Sequence, residues 1–165
     1  MFKEDALEGK RILVTGGGSG LGKEMAKHFL SHGAEVIICG RRDSVLKETE
    51  NELAETTNGK ISSFSLDIRD SLAIEEAIDT VFANGGLDGL VNNAAGNFIS
   101  RTKDLSPNAF NAIASIVFHG TFNMTNTVGK NGLNKINLEV FYQLQQLGFG
   151  LVLLLLSLQQ CLNQE

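Results

Sequence analysis

The chain has 165 residues, of which 42% are hydrophobic and 20% are charged, and its formal net charge is −5 at pH 7. This length predicts one domain with a buried core, and the acidic balance argues against a nucleic acid partner, because phosphate backbones bind positive surfaces. The first residues lack the apolar core of a secretion signal, and every apolar run is far shorter than the roughly 20 residues of a membrane span, so we expect a cytoplasmic protein.

A glycine-rich segment, TGGGSGLG at residues 15–22, follows a strand-like apolar run and precedes residues with helical spacing. Glycines allow the backbone to turn sharply and to approach a pyrophosphate, and the amino end of the following helix stabilises its charge. An isolated glycine run would also suit an ordinary turn, but the strand before it and the helix after it supply the context that the motif requires. The segment therefore predicts a phosphate-binding loop.

From residue 11 to residue 128, short β-branched runs alternate with amphipathic stretches, which is typical of consecutive βαβ units. The predicted strands cover residues 12–14, 35–39, 61–66 and 87–92, and the predicted helices cover residues 21–32, 44–57 and 71–83. A fourth helix begins after Ser106 and Pro107, with Phe110, Ile113 and Val117 on its core face. We therefore expect an α/β fold with a Rossmann-like, doubly wound parallel sheet and a ligand crevice at the carboxyl ends of the strands.

Charged residues follow the second and third predicted strands. Arg41 and Arg42 stand where an enzyme specific for the unphosphorylated nucleotide would place a carboxylate for the ribose 2′-hydroxyl. Arginine there favours a 2′-phosphate through charge-assisted hydrogen bonds, and the alternative is a solvated pair of arginines ahead of a helix. Asp67, after the third strand, could orient an adenine amino group or could cap a helix or turn.

The sequence gives no indication of a metal site. His28 and His32 are four residues apart on a predicted helix, a spacing that can bind a metal. A third ligand nearby is missing from the sequence, so we expect these two side chains to be surface histidines.

Two motifs together resemble a known family. The segment at residues 15–22 and the segment NNAAG at residues 92–96 are similar to the TGxxxGxG and NNAG pattern of short-chain dehydrogenases/reductases, over residues 8–128. Three further segments, AAGNFIS at residues 94–100, LSPNAF at 105–110 and GTF at 120–122, resemble the NADPH-dependent 2,4-dienoyl-CoA reductases of unsaturated fatty-acid oxidation. The resemblance implies an NADP-binding Rossmann domain at residues 1–128 and an oxidoreductase that reduces 2,4-dienoyl-CoA to 3-enoyl-CoA.

The resemblance also implies roles for matching positions. NADPH would be bound by Gly16, Gly17, Gly18, Ser19, Gly20, Leu21, Arg41, Asp67, Asn93 and Ala94, with Arg41 at the 2′-phosphate and Asp67 at the adenine. The acyl-CoA thioester would be bound by Arg69, Phe98, Ser106, Pro107 and Asn108, and Arg69 could meet the phosphates of either CoA or the nucleotide. His119 stands where the subgroup has a catalytic asparagine near the thioester carbonyl, and an imidazole there has a different reach. The intact family member would be a homo-oligomer, a tetramer.

The pattern changes beyond residue 128. No charged residue lies between Glu139 and Glu165, and residues 151–156 are all Leu or Val. When the codons that can encode this tail are read in a frame shifted by one base, they permit the segments SVLSITT, SGSAFVV and PSAMSK. These segments resemble the family's fifth strand and its Ser-x-x-x-Lys segment in the same order. We therefore expect residues 129–165 to be an aberrant, apolar, glutamine-rich tail after a frameshift, with the sheet truncated after about four strands. The alternative is a genuine, divergent C-terminus.

The tail also lacks the catalytic residues that the resemblance implies. No lysine follows Lys135, and Tyr142, the one tyrosine of the chain, is followed by Gln146 where a YxxxK motif would have its lysine. We therefore expect a dienoyl-CoA reductase lineage whose chain, as written, is inactive. The alternatives are a non-catalytic nucleotide-binding fragment and another NADP-dependent reductase, such as one for 3-oxoacyl thioesters, over which Phe98 and Ser106 to Asn108 favour the dienoyl substrate.

Overall fold

The computed structural model describes residues 3, 5–96, 101–133, 140–147 and 150–156. The strands are β1 (Arg11–Thr15), β2 (Glu35–Gly40), β3 (Ile61–Ser65), β4 (Gly89–Asn92), β5 (Val140–Leu147) and β6 (Gly150–Leu156). The helices are α1 (Gly20–Ser31), α2 (Asp43–Thr57), α3 (Ser71–Ala83), α4 (Pro107–Ala114) and α5 (Thr121–Leu133). A 3-10 turn (Thr102–Asp104) precedes α4, and a π-helix (Ser115–Gly120) joins α4 to α5.

The strands form one sheet in the order β3-β2-β1-β4-β5-β6. The first five run parallel, and β6 returns antiparallel to β5. From β1 the chain adds strands on one side and then crosses to the other side with β4, so the strand order reverses between β1 and β4. A crevice outside the carboxyl ends of the strands forms at such a switch point. The predicted doubly wound, Rossmann-like sheet is confirmed.

The two faces of the sheet are covered by different helices. Leu13 and Ile37 belong to the core that includes residues of α3 and α5. Val14 and Ile38, their neighbours along the strands, belong to the core that includes residues of α1 and α2. Successive strand residues point to opposite faces, so β1 and β2 are buried on both sides and the carboxyl ends of these strands are held rigidly.

The fourth helix begins as predicted and then departs from the prediction. Pro107 is its first residue, and the Ser106 hydroxyl accepts a hydrogen bond from the Ala109 amide at 3.1 Å. Val117 is buried, but Phe110, predicted on the same core face, is 54% exposed. The prediction for Phe110 is wrong because the π-helix between the two residues widens the turn and rotates later positions around the helix axis.

The sheet continues beyond the four strands expected from the sequence. In β5, Gln143 stands beside Asn92 of β4 in a parallel register, and in β6, Gly150 stands opposite Leu147 of β5. The two strands are separated by only two residues in the sequence, a spacing that suits an antiparallel hairpin. None of the helices in the described part of the chain combines the length and apolarity needed to cross a membrane.

Candidate functional site: a crevice at the strand ends

A crevice of about 370 Å³ lies at the switch point of the sheet. Its walls come from the glycine-rich loop, the end of β2, the start of α2, the segment after β3 and the segment after β4. The lining residues are Gly16, Gly18, Ser19, Leu21, Gly40, Arg41, Arg42, Val45, Leu46, Leu66, Asp67, Ile68, Asn93, Ala94, Ala95 and Ile116. The structure therefore brings together the cofactor positions predicted from the sequence, except Gly17 and Gly20, which lie in the loop without lining the crevice.

The glycine-rich loop is pressed against the sheet. Gly16 has a positive φ of 67°, and a Cβ atom on it would lie 3.0 Å from the Cα of Ala94. A Cβ atom on Gly17 would lie 2.5 Å from the Ile38 side chain of β2. The motif pattern leaves the Gly17 position variable, but here only glycine allows the loop to lie so close to β2.

The amino end of α1 is open toward the crevice. Ser19 occupies the N-cap position, where a serine hydroxyl commonly accepts from helix amides, yet its side chain makes no capping hydrogen bond. The Ser19 hydroxyl instead accepts from the Arg42 guanidinium at 3.4 Å. The first amides of α1 and the positive end of its dipole therefore remain suited to an anion in the crevice.

A threonine joins the loop to the end of β4. The Thr15 hydroxyl, almost fully buried, accepts from the backbone amides of Asn93 and Ala94, each at 3.0 Å. In return, the Asn93 side-chain amide donates to the carbonyl oxygens of Thr15 at 3.0 Å and Gly16 at 3.3 Å. Sequence reasoning assigned no role to Thr15, although a threonine directly before the glycines was a signal for it.

The two arginines after β2 both line the crevice, and both side chains are exposed. Arg42 reaches across to the glycine-rich loop, where its guanidinium donates to Ser19. The crevice therefore has a cationic wall between the loop and α2, where a phosphate group could be bound bidentately.

Asp67 and Arg69 form an ion pair at the edge of the crevice. The Arg69 Nε atom donates to both carboxylate oxygens of Asp67, at 2.9 and 3.0 Å, and the Arg69 amide donates at 3.0 Å. The hydrogen bond from the Arg69 side chain is the main reason that the pKa of Asp67 lies below its usual value, and the charge of Arg41 adds to it. Asp67 is thus held as an oriented carboxylate.

Arg69→Gln is expected to raise the pKa of Asp67, because the variant removes the guanidinium and leaves the backbone amide of residue 69 and the charge of Arg41. A carboxyl group with a lowered folded-state pKa stabilises the fold above its unfolded pKa, and this contribution is lost as the pH falls through the folded-state pKa. In the variant this contribution should be smaller, and its loss should be complete at a higher pH. Carbon-detected NMR titration of the Asp67 carboxyl group measures the change, and the same midpoint in both proteins would contradict it. Arg101→Gln, which removes the partner of Asp104 outside the crevice, is the control.

Apart from Arg69, at the edge of the crevice, the positions proposed for the thioester either do not line the crevice or lie outside the described residues. Pro107 and Asn108 are exposed at the start of α4, and the Ser106 hydroxyl is used as the helix cap. His119 is exposed on the π-helix and does not line the crevice. Phe98 lies outside the described residues, so its predicted role stays a prediction, as do the roles of the other four.

Cys39 and His32 lie outside the crevice. Burial raises the pKa of the Cys39 thiol to about 12, so this cysteine is not a nucleophile at neutral pH. The His32 Nδ1 atom lies 2.8 Å from the carbonyl oxygen of His28, to which it donates. Within the described ranges, no three His, Cys, Asp or Glu side chains are grouped as metal ligands would be.

The strand order and the glycine-rich loop at the switch point define a Rossmann-like α/β protein. The family model for short chain dehydrogenases matches residues 10–135, and the chain belongs to this family. The Caenorhabditis elegans protein named "Probable 2,4-dienoyl-CoA reductase 3 [(3E)-enoyl-CoA-producing]" is 45% identical over 132 residues, which cover 79% of this chain and 43% of that protein. The chain thus spans less than half the length of this curated relative.

Solved structures agree with the fold. A short chain dehydrogenase from Bacillus anthracis has 40% sequence identity and a TM-score of 0.71, and the match covers 76% of this chain and 52% of that one. A short chain dehydrogenase from Shigella flexneri, solved in complex with NADP, has 27% identity and a TM-score of 0.75, and the match covers 81% of this chain and 57% of that one. The family predicted from the two motifs is confirmed.

Proposed function

We propose that this chain is the nucleotide-binding part of an NADPH-dependent 2,4-dienoyl-CoA reductase, an oxidoreductase of unsaturated fatty-acid oxidation. The observation that carries the proposal is the cationic wall of the crevice, where Arg41 and Arg42 follow β2 in place of an acidic ribose ligand. The NADP bound in the Shigella flexneri structure supports the cofactor, and the name of the Caenorhabditis elegans relative supports the substrate. The intact protein would reduce a 2,4-dienoyl-CoA to a 3-enoyl-CoA.

The residues present fit such a dinucleotide. The backbone lies close to β2 at Gly17, where a Cβ atom would collide, and the side chain of Ser19, the N-cap residue of α1, makes no capping hydrogen bond. The loop and α1 would bind the pyrophosphate, Arg41 with Arg42 the 2′-phosphate, and Asp67 the adenine amino group. Asn93 and Ala94 would form the floor of the site. When bound, the nicotinamide supplies the hydride for the reduction.

The proposed binding of the acyl-CoA depends on a second set of residues. Arg69, Phe98 and the corner at residues 106–108 would contact the acyl-CoA, and the His119 imidazole could donate a hydrogen bond near the thioester carbonyl. The residues after Lys135 include no lysine to act in the reaction. This observation favours the second candidate, a nucleotide-binding chain without catalysis, for the 165 residues taken alone.

The exposed aromatic side chains of α4, the π-helix and α5 support a homo-oligomer. Phe110, Phe118 and Phe122 are 54%, 48% and 65% exposed. Large apolar side chains that are exposed to solvent are typical of an interface. We propose that the intact protein assembles through this surface, as a tetramer.

Nucleotide titration tests the cofactor assignment. The chain is expected to bind NADPH more tightly than NADH, and Arg41→Ala should weaken NADPH binding about 10-fold while leaving NADH binding nearly unchanged, since a charge-assisted hydrogen bond to the 2′-phosphate is lost. Fluorescence titration of the reduced nucleotides measures both affinities, and Arg101→Ala is a control on an exposed arginine outside the crevice. Equal affinities for NADPH and NADH in the wild-type chain would contradict the assignment.

With a dienoyl-CoA added, the 165-residue chain is expected to bind NADPH without oxidising it.

A further inference from the structure

Thr49 places a hydroxyl group on the buried face of α2. Its side chain is 2% exposed, and the other two buried residues of this helix are Leu46 and Leu53, at the spacing of one helix face. The Thr49 Oγ1 atom donates to the carbonyl oxygen of Gly18 at 2.8 Å, across 31 positions of sequence. A valine would fill almost the same volume, so the hydroxyl is required for the hydrogen bond and not for the packing.

This hydrogen bond fixes the middle of the glycine-rich loop. The loop already lies against α2, because a Cβ atom on Gly18 would be 3.2 Å from Leu46 and 3.4 Å from Val45. A carbonyl that accepts from Thr49 points at α2, so its partial negative charge is turned away from an anion in the crevice. The loop can then present backbone amides to a phosphate.

The residue after Gly18 belongs to the cationic wall. Ser19 accepts from Arg42, and both residues line the crevice. A second link holds α2 beside α1, since Lys23 and Glu52 form an ion pair at 2.6 Å. Thr49 is therefore placed to set the peptide between Gly18 and Ser19, while the two helices keep their positions through other contacts.

We propose that Thr49 is a positioning residue that fixes the Gly18 carbonyl, and with it Ser19 and Arg42, at the 2′-phosphate end of the nucleotide site. The inference rests on the proposed function, because it assigns a role within the NADPH site. It extends that function to a residue that does not itself line the crevice. Since only NADPH carries a 2′-phosphate, loss of the Thr49 hydroxyl should weaken NADPH binding more than NADH binding.

Thr49→Val and Thr49→Ser test the proposal in the full chain. Thr49→Val is expected to weaken NADPH binding about 10-fold with a smaller effect on NADH, because one hydrogen bond that holds the loop is removed. Thr49→Ser keeps the hydroxyl and should restore NADPH affinity. Thr56→Val is the matched control, since Thr56 is exposed on the same helix and donates only to the Glu52 carbonyl within it. If Thr49→Val does not fold, the NADPH and NADH affinities of Thr49→Ala are measured instead.

Hydrogen exchange in the free protein separates this inference from the function on which it rests. The amides of residues 17–19 should exchange faster in Thr49→Val than in the wild type, while those of β4 stay unchanged. Unchanged NADPH affinity, or equal losses for NADPH and NADH, would overturn the positioning role and leave the cofactor assignment intact. A wild-type chain that binds neither nucleotide would refute the proposed function, and unchanged exchange at residues 17–19 would then refute the role of Thr49 as well.

Discussion

Gly22→Ala is expected to destabilise the fold by about 3 kcal/mol, although alanine is the better helix former, because the added methyl group has no space. A Cβ atom on Gly22 would lie 2.4 Å from the carbonyl oxygen of Gly16 and 2.5 Å from the Nδ2 atom of Asn93. The first contact is with backbone, and Asn93 is fixed by its hydrogen bonds to Thr15 and Gly16. The methyl group would push α1 away from the loop and should also weaken nucleotide binding.

Gly129→Ala is the matched control for this prediction. Gly129 is also a helical glycine, in α5, and a Cβ atom on it would meet nothing within 4 Å. This variant should stabilise the protein by roughly 0.5 to 1 kcal/mol, because alanine loses less conformational entropy than glycine on folding. Urea unfolding of the two variants measures the difference, and a Gly22→Ala protein at least as stable as the wild type would show that α1 does not need the close approach.

Local signals explain which parts of the fold could be predicted from the sequence. The bounds of α3 agree with the prediction because both of its ends carry such signals: the Asp70 carboxylate accepts from the amides of Leu72 and Ala73, and Gly85 follows with a positive φ. The position of Phe110 could not be predicted, because the hydrophobic spacing of the sequence gives no signal for the π-helix. The π-helix depends on how the helices pack in the complete fold.

In the candidate site too, residues that belong to a local motif could be predicted, and residues held by contacts distant in sequence could not. The glycine-rich loop, Arg41 and Asp67 could be found from motif and position, since each follows directly on a strand of the parallel sheet. Thr49 could not, because its partner lies 31 residues away and a threonine on a helix face predicts no loop contact. The hydrogen bonds between Arg69 and Asp67, two residues earlier, also had no signal in the sequence, and the role of Arg69 at phosphates stays a prediction.

Arg11→Met is expected to cost roughly 2 to 3 kcal/mol of stability, because the variant keeps the length of the side chain but removes its donors. Arg11 lies at the amino edge of the sheet, opposite the crevice, and its side chain is 16% exposed. Its Nε atom donates to Glu35 at 2.8 Å, and one terminal nitrogen donates to the carbonyl oxygens of Val81 at 3.0 Å and Gly86 at 2.9 Å. A single side chain thus joins β1, β2, α3 and the turn before β4.

Lys60→Met separates this effect from the loss of an ordinary surface ion pair. Lys60 also donates to Glu35, at 2.6 Å, but its side chain is 78% exposed, so its removal should cost at most about 1 kcal/mol. Burial opposes ionisation of Glu35, yet hydrogen bonds from Lys60 and Arg11 outweigh it and lower the pKa of this carboxyl group. The stability that Glu35 contributes is therefore present above its unfolded pKa and lost as the pH falls through the folded-state pKa. In Arg11→Met this contribution should be smaller, and its loss should be complete at a higher pH. Equal costs for the two variants in urea unfolding at neutral pH would show that the carbonyl contacts of Arg11 do not hold this edge together.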